Sequence, residues 1–193
     1  QRVGGDMIKM INRQLFGNDS TQSLSKENFL AGFFAALDDK ALASVDSASM
    51  YVNTKAEEIR TKAIEAQYAD YKKENEAFLA ENKSKEGVKT TASGLQYKVI
   101  TEGKGEVPTA ESRVKVNYKG TLIDGTEFDA REGMTFSAGH VIKGWTEALT
   151  MMPVGSKWEL YVPQELAYGS SATGKIKPFS TLIFEIELLE IEK

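Results

Sequence analysis

Cysteine is absent from the 193 residues, and histidine occurs once, at His140. Without cysteine there are no disulfide staples, thiolate nucleophiles or Cys-based zinc sites, although every redox compartment stays open. A single histidine cannot build a His-Glu-x-x-His zinc site, and taken alone His140 reads as a surface or loop residue. No apolar run approaches the roughly 20 residues that a membrane-spanning helix needs. A large excess of charge is missing too. The formal net charge is −4, and a cut after Glu86 leaves 12 Lys/Arg and 14 Asp/Glu on each side. Neither half is a basic tail, so nothing provides the electrostatic footprint of phosphate-backbone binding and nucleic acid is not an expected partner. Phosphate-cradling glycine patterns are lacking: Gly103-Lys104-Gly105 has no third glycine at its spacing, and Gly169 to Gly174 contains serines but no Gly-x-Ser-x-Gly elbow. Neither a cofactor nor a metal is expected. The numbering begins at Gln1, so a signal peptide, if the chain has one, is expected to have been removed ahead of it.

Glycine and proline are absent from Phe33 to Glu86, whereas all four prolines and most glycines follow. That contrast predicts a helical half, 1–86, and a turn-rich half, 87–193. A first helix is expected from a cap at Asp6 through Ile8, Ile11 and Leu15, ending at Gly17. A second begins after Ser25, with Leu24 and Phe29 spaced as a hydrophobic staple and Leu30, Phe33, Phe34 and Leu37 on one face. A third runs from about Ser47 to about Lys83, on the order of 55 Å at the helical rise. Its middle is mostly charge and alanine, as in a helix that bridges solvent between domains; the competing reading is a helix packed along one side of the C-terminal domain.

Two short helices cannot hide so apolar a face. Fewer than about 40 residues rarely sustain a core without a disulfide or a metal. A second copy of the chain is the remaining solution, and a symmetric homodimer through residues 7–37 is expected.

The second half alternates with period two. Leu95, Tyr97 and Val99 mark one strand; Val114, Val116 and Tyr118 a second; Trp158, Leu160 and Val162 a third; Leu182, Phe184, Ile186 and Leu188 the last. Asp124-Gly125 has the chemistry of a tight hairpin turn. Between Val141 and Met152 the apolar spacing becomes helical, through Ile142, Trp145, Leu149 and Met152. An antiparallel sheet on one short helix, joined to an all-helical arm with a long linker helix, is an α+β architecture.

Six motifs then occur in order: Val116-Asn117-Tyr118-Lys119-Gly120, Asp124 to Asp129, Val141-Ile142-Lys143-Gly144-Trp145, Met152 to Ser156, Leu166-Ala167-Tyr168-Gly169, and Thr181 to Leu188. Each is weak alone, but the ordered series resembles the FKBP domain from Gly94 to the C-terminus. Glu81-Asn82-Lys83 leading into Ser93 to Tyr97 is similar to the arm of the macrophage infectivity potentiator group of bacterial FKBPs. The resemblance implies a peptidyl-prolyl cis–trans isomerase of proline-containing unfolded or partly folded proteins, with chaperone activity. It also implies possible binding of macrolide inhibitors and a periplasmic or outer-membrane-associated location in a Gram-negative envelope.

The family pocket maps onto Trp145 as floor and Tyr118, Phe128, Val141, Ile142 and Phe184 as walls. Tyr168 would donate its hydroxyl to a substrate carbonyl, the Ile142 backbone N–H would hold another, and Asp129 would stand beside the twisting amide. Ala130 to Met134 reads as a loop shorter than in relatives, with Met134 and Phe136 replacing part of the aromatic wall. Whether Arg131 reaches Asp129 is left open. Lys175 and Lys177 stand where relatives are often aliphatic or proline, while Ile176 still points at the pocket. Two other readings compete: a binding-only chaperone with a catalytically weak domain, and a structural or adhesion dimer using the fold as a scaffold.

Overall fold

The stretch free of glycine and proline is helical, but not as one rod. The computed structural model describes residues 8–13, 16, 23–37 and 45–192, and the chain divides into two compact units between Gln67 and Tyr68.

In the first unit residues 8–13 are helical. Asp6, Leu15 and Gly17, the expected cap and stop of that helix, lie outside the described residues, as does Met7. Asn12 Oδ1 accepts the Leu24 N–H at 2.8 Å. Helix α1 (Lys26–Leu37) starts where the sequence placed it. Ser25 caps it: its Oγ accepts the otherwise orphaned Asn28 N–H at 3.2 Å, and its carbonyl accepts the first intrahelical bond, from the Phe29 N–H at 2.9 Å. Helix α2 (Val45–Gln67) follows. Its Ile59 and Ile64 are only half-buried, and Lys55 pairs with Glu58 one turn on at 2.7 Å.

The single helix expected from about Ser47 to about Lys83 is interrupted at Tyr68, which adopts φ −109° and ψ 17°. A new helix, α3 (Ala69–Asn82), restarts with the Lys72 N–H on the Tyr68 carbonyl at 2.8 Å. No glycine or proline marks this break. Its cause is tertiary: α3 belongs to the second unit and sinks Asn75 and Asn82 into it. Asn82 Nδ2 donates to Gln96 Oε1 at 3.0 Å, Gln96 Nε2 donates to the Leu79 carbonyl at 2.9 Å, and the Phe78 ring lies 6.2 Å from that of Tyr161. Buried polar groups need such partners, so these amides fix the helix in one register on the sheet.

The sheet holds β1 (Val88–Thr90), β2 (Gln96–Thr101), β3 (Arg113–Leu122), β4 (Glu127–Ser137), β5 (Lys157–Val162) and β6 (Leu182–Glu192), all neighbours antiparallel in the order β1-β2-β5-β6-β3-β4. Helix α4 (Lys143–Leu149) lies under it and buries Trp145, Ala148 and Leu149. They join one core with Val114, Val116, Leu160, Leu182, Ile186 and Leu188, the inward residues of the alternating strands. The expected α+β layout is thus present. At the hairpin, Gly125 takes φ +82° and the Asp124 carboxylate accepts the Thr126 N–H at 2.8 Å.

Ala130 to Met134 is not a loop but the middle of β4. Two irregularities hide it from a period-two search. Val116 faces Met134 and Tyr118 faces Arg131, so Glu132 and Gly133 together oppose Asn117; Gly120 faces Asp129 and Thr121 faces Glu127, so Phe128 is also an extra residue. Each β-bulge shifts the alternation by one.

Candidate active site

Trp145 is the centre around which the aromatic residues gather. It is carried by α4, whose N-terminus is set by Ile142 in an extended conformation, the Ile142 carbonyl accepting both the Trp145 and Thr146 N–H groups. The indole is 4% exposed, and its ring meets Tyr118 at 5.0 Å, Phe184 at 5.2 Å and Phe136 at 5.6 Å, with interplanar angles of 81–84°. Such edge-to-face arrangements suit the aromatic quadrupole. Phe128 stacks edge-on to Phe184 at 5.5 Å. That contact requires Gly120 beneath it, because a Cβ there would come within 2.6 Å of the Phe128 ring and 2.9 Å of Phe184. The indole Nε1 is buried without a hydrogen-bond partner in the structure.

Above this floor opens a cavity of about 510 Å³, within the range of small-ligand sites. Ten of the eleven residues singled out in the sequence line it: Tyr118, Phe128, Asp129, Phe136, Val141, Ile142, Trp145, Tyr168, Ile176 and Phe184. The eleventh, Met134, does not. It stands opposite Val116 on the edge strand β4, past the bulge, and stays 40% exposed. Strand β4 continues past it instead of looping over the cavity, which removes the reason for expecting a wall there. Arg131, Thr173, Gly174 and Lys175 line the cavity in addition.

Asp129 is held at both oxygens. The Tyr118 hydroxyl donates to Oδ2 at 2.5 Å, and the Arg131 guanidinium sits 3.1 Å from Oδ1. The bulge at Glu132-Gly133 makes this possible. Before it, Asp129 and Arg131 pair with the even-numbered inward residues of β3; after it, Met134 and Phe136 do. An unbulged strand would turn Asp129 and Arg131 away. Gly133 adopts φ +61°, a left-handed conformation that suits glycine, and its N–H donates to Asn117 Oδ1 at 2.8 Å, while Asn117 Nδ2 donates to Glu187 on β6 at 2.8 Å. Burial, followed by the bond to Asp129, pushes the Tyr118 hydroxyl up from 10.0 to about 12, so it stays a proton-bearing donor at neutral pH. His140 is exposed, its Nδ1 3.0 Å from Ser137 Oγ, and is not among the lining residues.

Such a site offers no nucleophile with an adjacent base and, among the described residues, no cluster of metal ligands. It offers a buried aromatic floor, a fixed carboxylate at the rim and a tyrosine, Tyr168, 39% exposed at the mouth. Arg131 carries the one signal that sequence could have supplied for the additional residues: two positions from Asp129, it shares a strand face with it.

The chain is similar to known proteins over nearly its whole length. The family described as FKBP-type peptidyl-prolyl cis-trans isomerase matches residues 104–189, and the domain amino terminal to FKBP-type peptidyl-prolyl isomerase matches residues 2–99. The FKBP-type 22 kDa peptidyl-prolyl cis-trans isomerase of Escherichia coli K12 is 46% identical over 187 residues, covering 92% of this chain and 89% of that protein. Outer membrane protein MIP of Legionella longbeachae is 51% identical over 127 residues, covering 63% of this chain but 54% of its own length. The crystal structure of FkpA from Escherichia coli superposes with a TM-score of 0.65 at 34% identity, covering 99% of this chain and 90% of that one.

Proposed function

The chain belongs to the FKBP-type peptidyl-prolyl cis–trans isomerase family, and we propose that it accelerates Xaa-Pro rotation in folding proteins through the cavity above Trp145. The isomerase activity follows from the family; the residue roles and clients are our reading. Uncatalysed rotation about Xaa-Pro takes tens to hundreds of seconds against a barrier near 20 kcal/mol. No bond breaks and no proton moves. At the twisted transition state amide resonance is lost and the carbonyl becomes less polar. An apolar site therefore disfavours the planar amide more than the twisted one, which is differential binding of the transition state.

In this reading the proline ring rests on the Trp145 indole between Phe184, Tyr118 and Phe136. Tyr168 donates to one substrate carbonyl and the Ile142 N–H to another. Asp129, held at one oxygen by Tyr118 and at the other by Arg131, acts by position and not as a base. The observation that carries the proposal is the union of a buried aromatic floor with a carboxylate immobilised at its edge. The test is NMR exchange on an Xaa-Pro tetrapeptide. Catalysis abolished in Trp145→Ala and preserved in His140→Ala is the expected result. Wild-type protein that suppresses aggregation of unfolded chains without speeding exchange would leave the binding-only reading.

We also assign the helical arm to homodimerisation through residues 7–37. Met10 and Phe34 are more than half exposed in the single chain, as are Met50 and Tyr51 further on; exposed apolar side chains of this size favour a partner surface. An envelope location, and macrolide binding in the same cavity, belong to the proposal as well, the former motivated by the name of the Legionella relative. Fractionation of the source cell and calorimetry with a macrolide test these two.

A further inference from the structure

The wall of the cavity after Tyr168 is a loop, residues 169–180, closed on itself by the Phe179 N–H on the Gly169 carbonyl at 2.8 Å. It brings Thr173 to Ile176 to the cavity, with Thr173 and Ile176 bridged to each other and the Lys175 ammonium on the Glu127 carbonyl of the opposite wall at 2.9 Å. At its base the chain is strained. Phe179 takes φ 63°, the one positive φ outside glycine among the described residues, and it is buried. A bulky residue in that region persists only where its surroundings over-determine it.

The surroundings come from α3. Asn75, 2% exposed, accepts the Thr181 N–H on Oδ1 at 2.7 Å, across 106 residues of sequence, and donates through Nδ2 to the Tyr71 carbonyl at 2.8 Å, so its amide orientation is set from both ends. Ser180 Oγ donates to the Lys177 carbonyl at 2.8 Å, which leaves the Tyr71 hydroxyl to donate to Ser180 Oγ at 3.0 Å. The Lys72 ammonium stands 5.0 Å from the Phe179 ring, and that of Lys177 stands 5.2 Å from the Tyr71 ring. All of these contacts from one helical turn converge on residues 177–181. None reaches the cavity directly.

From this convergence we propose that Asn75 and Tyr71 are positioning residues for substrate binding: they clamp the strained base of the 169–180 loop and so hold the Tyr168–Ile176 wall at the distance that fits a peptide beside its proline. The inference rests on the isomerase reading of the cavity, but its clamp is testable apart from it. A loosened loop widens the wall without moving Trp145 or Asp129, which sit on α4 and β4. The loss therefore falls on KM, because binding contacts weaken, and leaves kcat nearly unchanged.

The experiment uses the full chain with Asn75→Ala, Tyr71→Phe and, as control, Asn82→Ala. Asn82 is equally buried on the same helix but bonds Gln96, away from the loop. KM and kcat on an Xaa-Pro tetrapeptide are measured beside amide hydrogen exchange. Asn75→Ala is expected to raise KM at least about three-fold with kcat within about two-fold, to speed exchange in residues 169–180, and to leave core amides such as Val116 and Ile186 protected. Tyr71→Phe, which deletes one hydroxyl and keeps the ring, gives the same pattern at smaller amplitude and carries the test should Asn75→Ala fail to fold. Asn82→Ala leaves KM within about two-fold. Equal KM changes in Asn75→Ala and Asn82→Ala, or unaltered loop exchange in Asn75→Ala and Tyr71→Phe, overturn the clamp. Wild-type protein without catalysis would instead defeat the isomerase reading, and loop exchange would still decide whether the clamp exists.

Discussion

Residues 1–67 and 68–193 bury their apolar side chains to very different degrees. Among the described side chains before residue 68 only Ile8 is a buried apolar one, while Met10, Phe34, Met50 and Tyr51 are 58–72% exposed. The second unit buries Leu95, Val114, Val116, Leu149, Met152, Leu160, Val162, Leu182, Ile186 and Leu188 completely. An alternating antiparallel sheet with a helix beneath closes on its own core, whereas the described helices before residue 68 keep Met10, Phe34, Met50 and Tyr51 exposed in the single chain. The two halves also differ in what holds them. Among the described residues of the first, Ser25 caps α1 and Lys55 pairs with Glu58; the second is tied by contacts across 70 to 109 residues of sequence, such as Asn117 to Glu187 and Tyr71 to Ser180.

The sharpest way to break the comparison is at the centre of the self-sufficient half. Trp145→Ala removes the ring on which three others pack and should destabilise that unit by about 3–5 kcal/mol, as well as abolishing catalysis; denaturant unfolding followed beside tetrapeptide exchange checks both. In the other half, Phe34→Asp places a charge in the expected dimer surface. Desolvating an unpartnered charge costs several kcal/mol, so light scattering should report a monomer whose tetrapeptide kcat/KM is unchanged. A dimer that survives would show that the exposed apolar face serves something else.

Truncation sharpens where the halves meet. Removal of residues 1–67 should leave tetrapeptide kcat/KM within about two-fold while markedly slowing catalysed refolding of a proline-limited protein, because paired sites raise the effective concentration of a bound client. Removal of 1–86 also deletes α3 and should cost additional tetrapeptide activity. Equal activity for the two truncations would return α3 to the arm.

Smaller effects are expected at the rim. Tyr168→Phe deletes one hydrogen bond, worth about 0.5–1.5 kcal/mol, and keeps the shape of the mouth, so kcat/KM should fall by roughly ten-fold at most, far less than in Trp145→Ala. The smallest effect concerns pH. The Tyr118 hydroxyl ionises in the folded protein near 12, above its ordinary 10.0. The folded state thus favours the protonated form, and the stability this contributes is present in full below pH 10 and lost as pH rises from 10 to 12. Across about pH 6–8 the catalysed rate should be flat. A step in that range would make a titrating group part of the mechanism.

Much of this was legible from residue order. The period-two strands through Val116, Leu160 and Ile186, the shift to helical spacing around Trp145, the turn at Asp124-Gly125 and the cap at Ser25 are local patterns, and local patterns are what a sequence displays. Ten of the eleven cavity residues singled out line the cavity for the same reason, since the ordered motifs carry them. The failures share a cause. Ala130 to Met134 reads as a loop because two bulges break the alternation of β4, and the bulge at Glu132-Gly133 is stabilised from outside the strand, by Asn117 on β3. Met134 was placed in the wall on the strength of that loop.

The sequence by itself determined the helical and sheet halves and the aromatic inventory of the floor, because composition and periodicity encode propensity and burial directly. Tertiary structure alone decided that the long helix breaks at Tyr68, that Asp129 and Arg131 face inward together, and that Phe179 is held at φ 63° beneath Asn75. Each of these depends on a polar group meeting its partner on another element, and the free energy that selects the conformation lies in that meeting rather than in either segment.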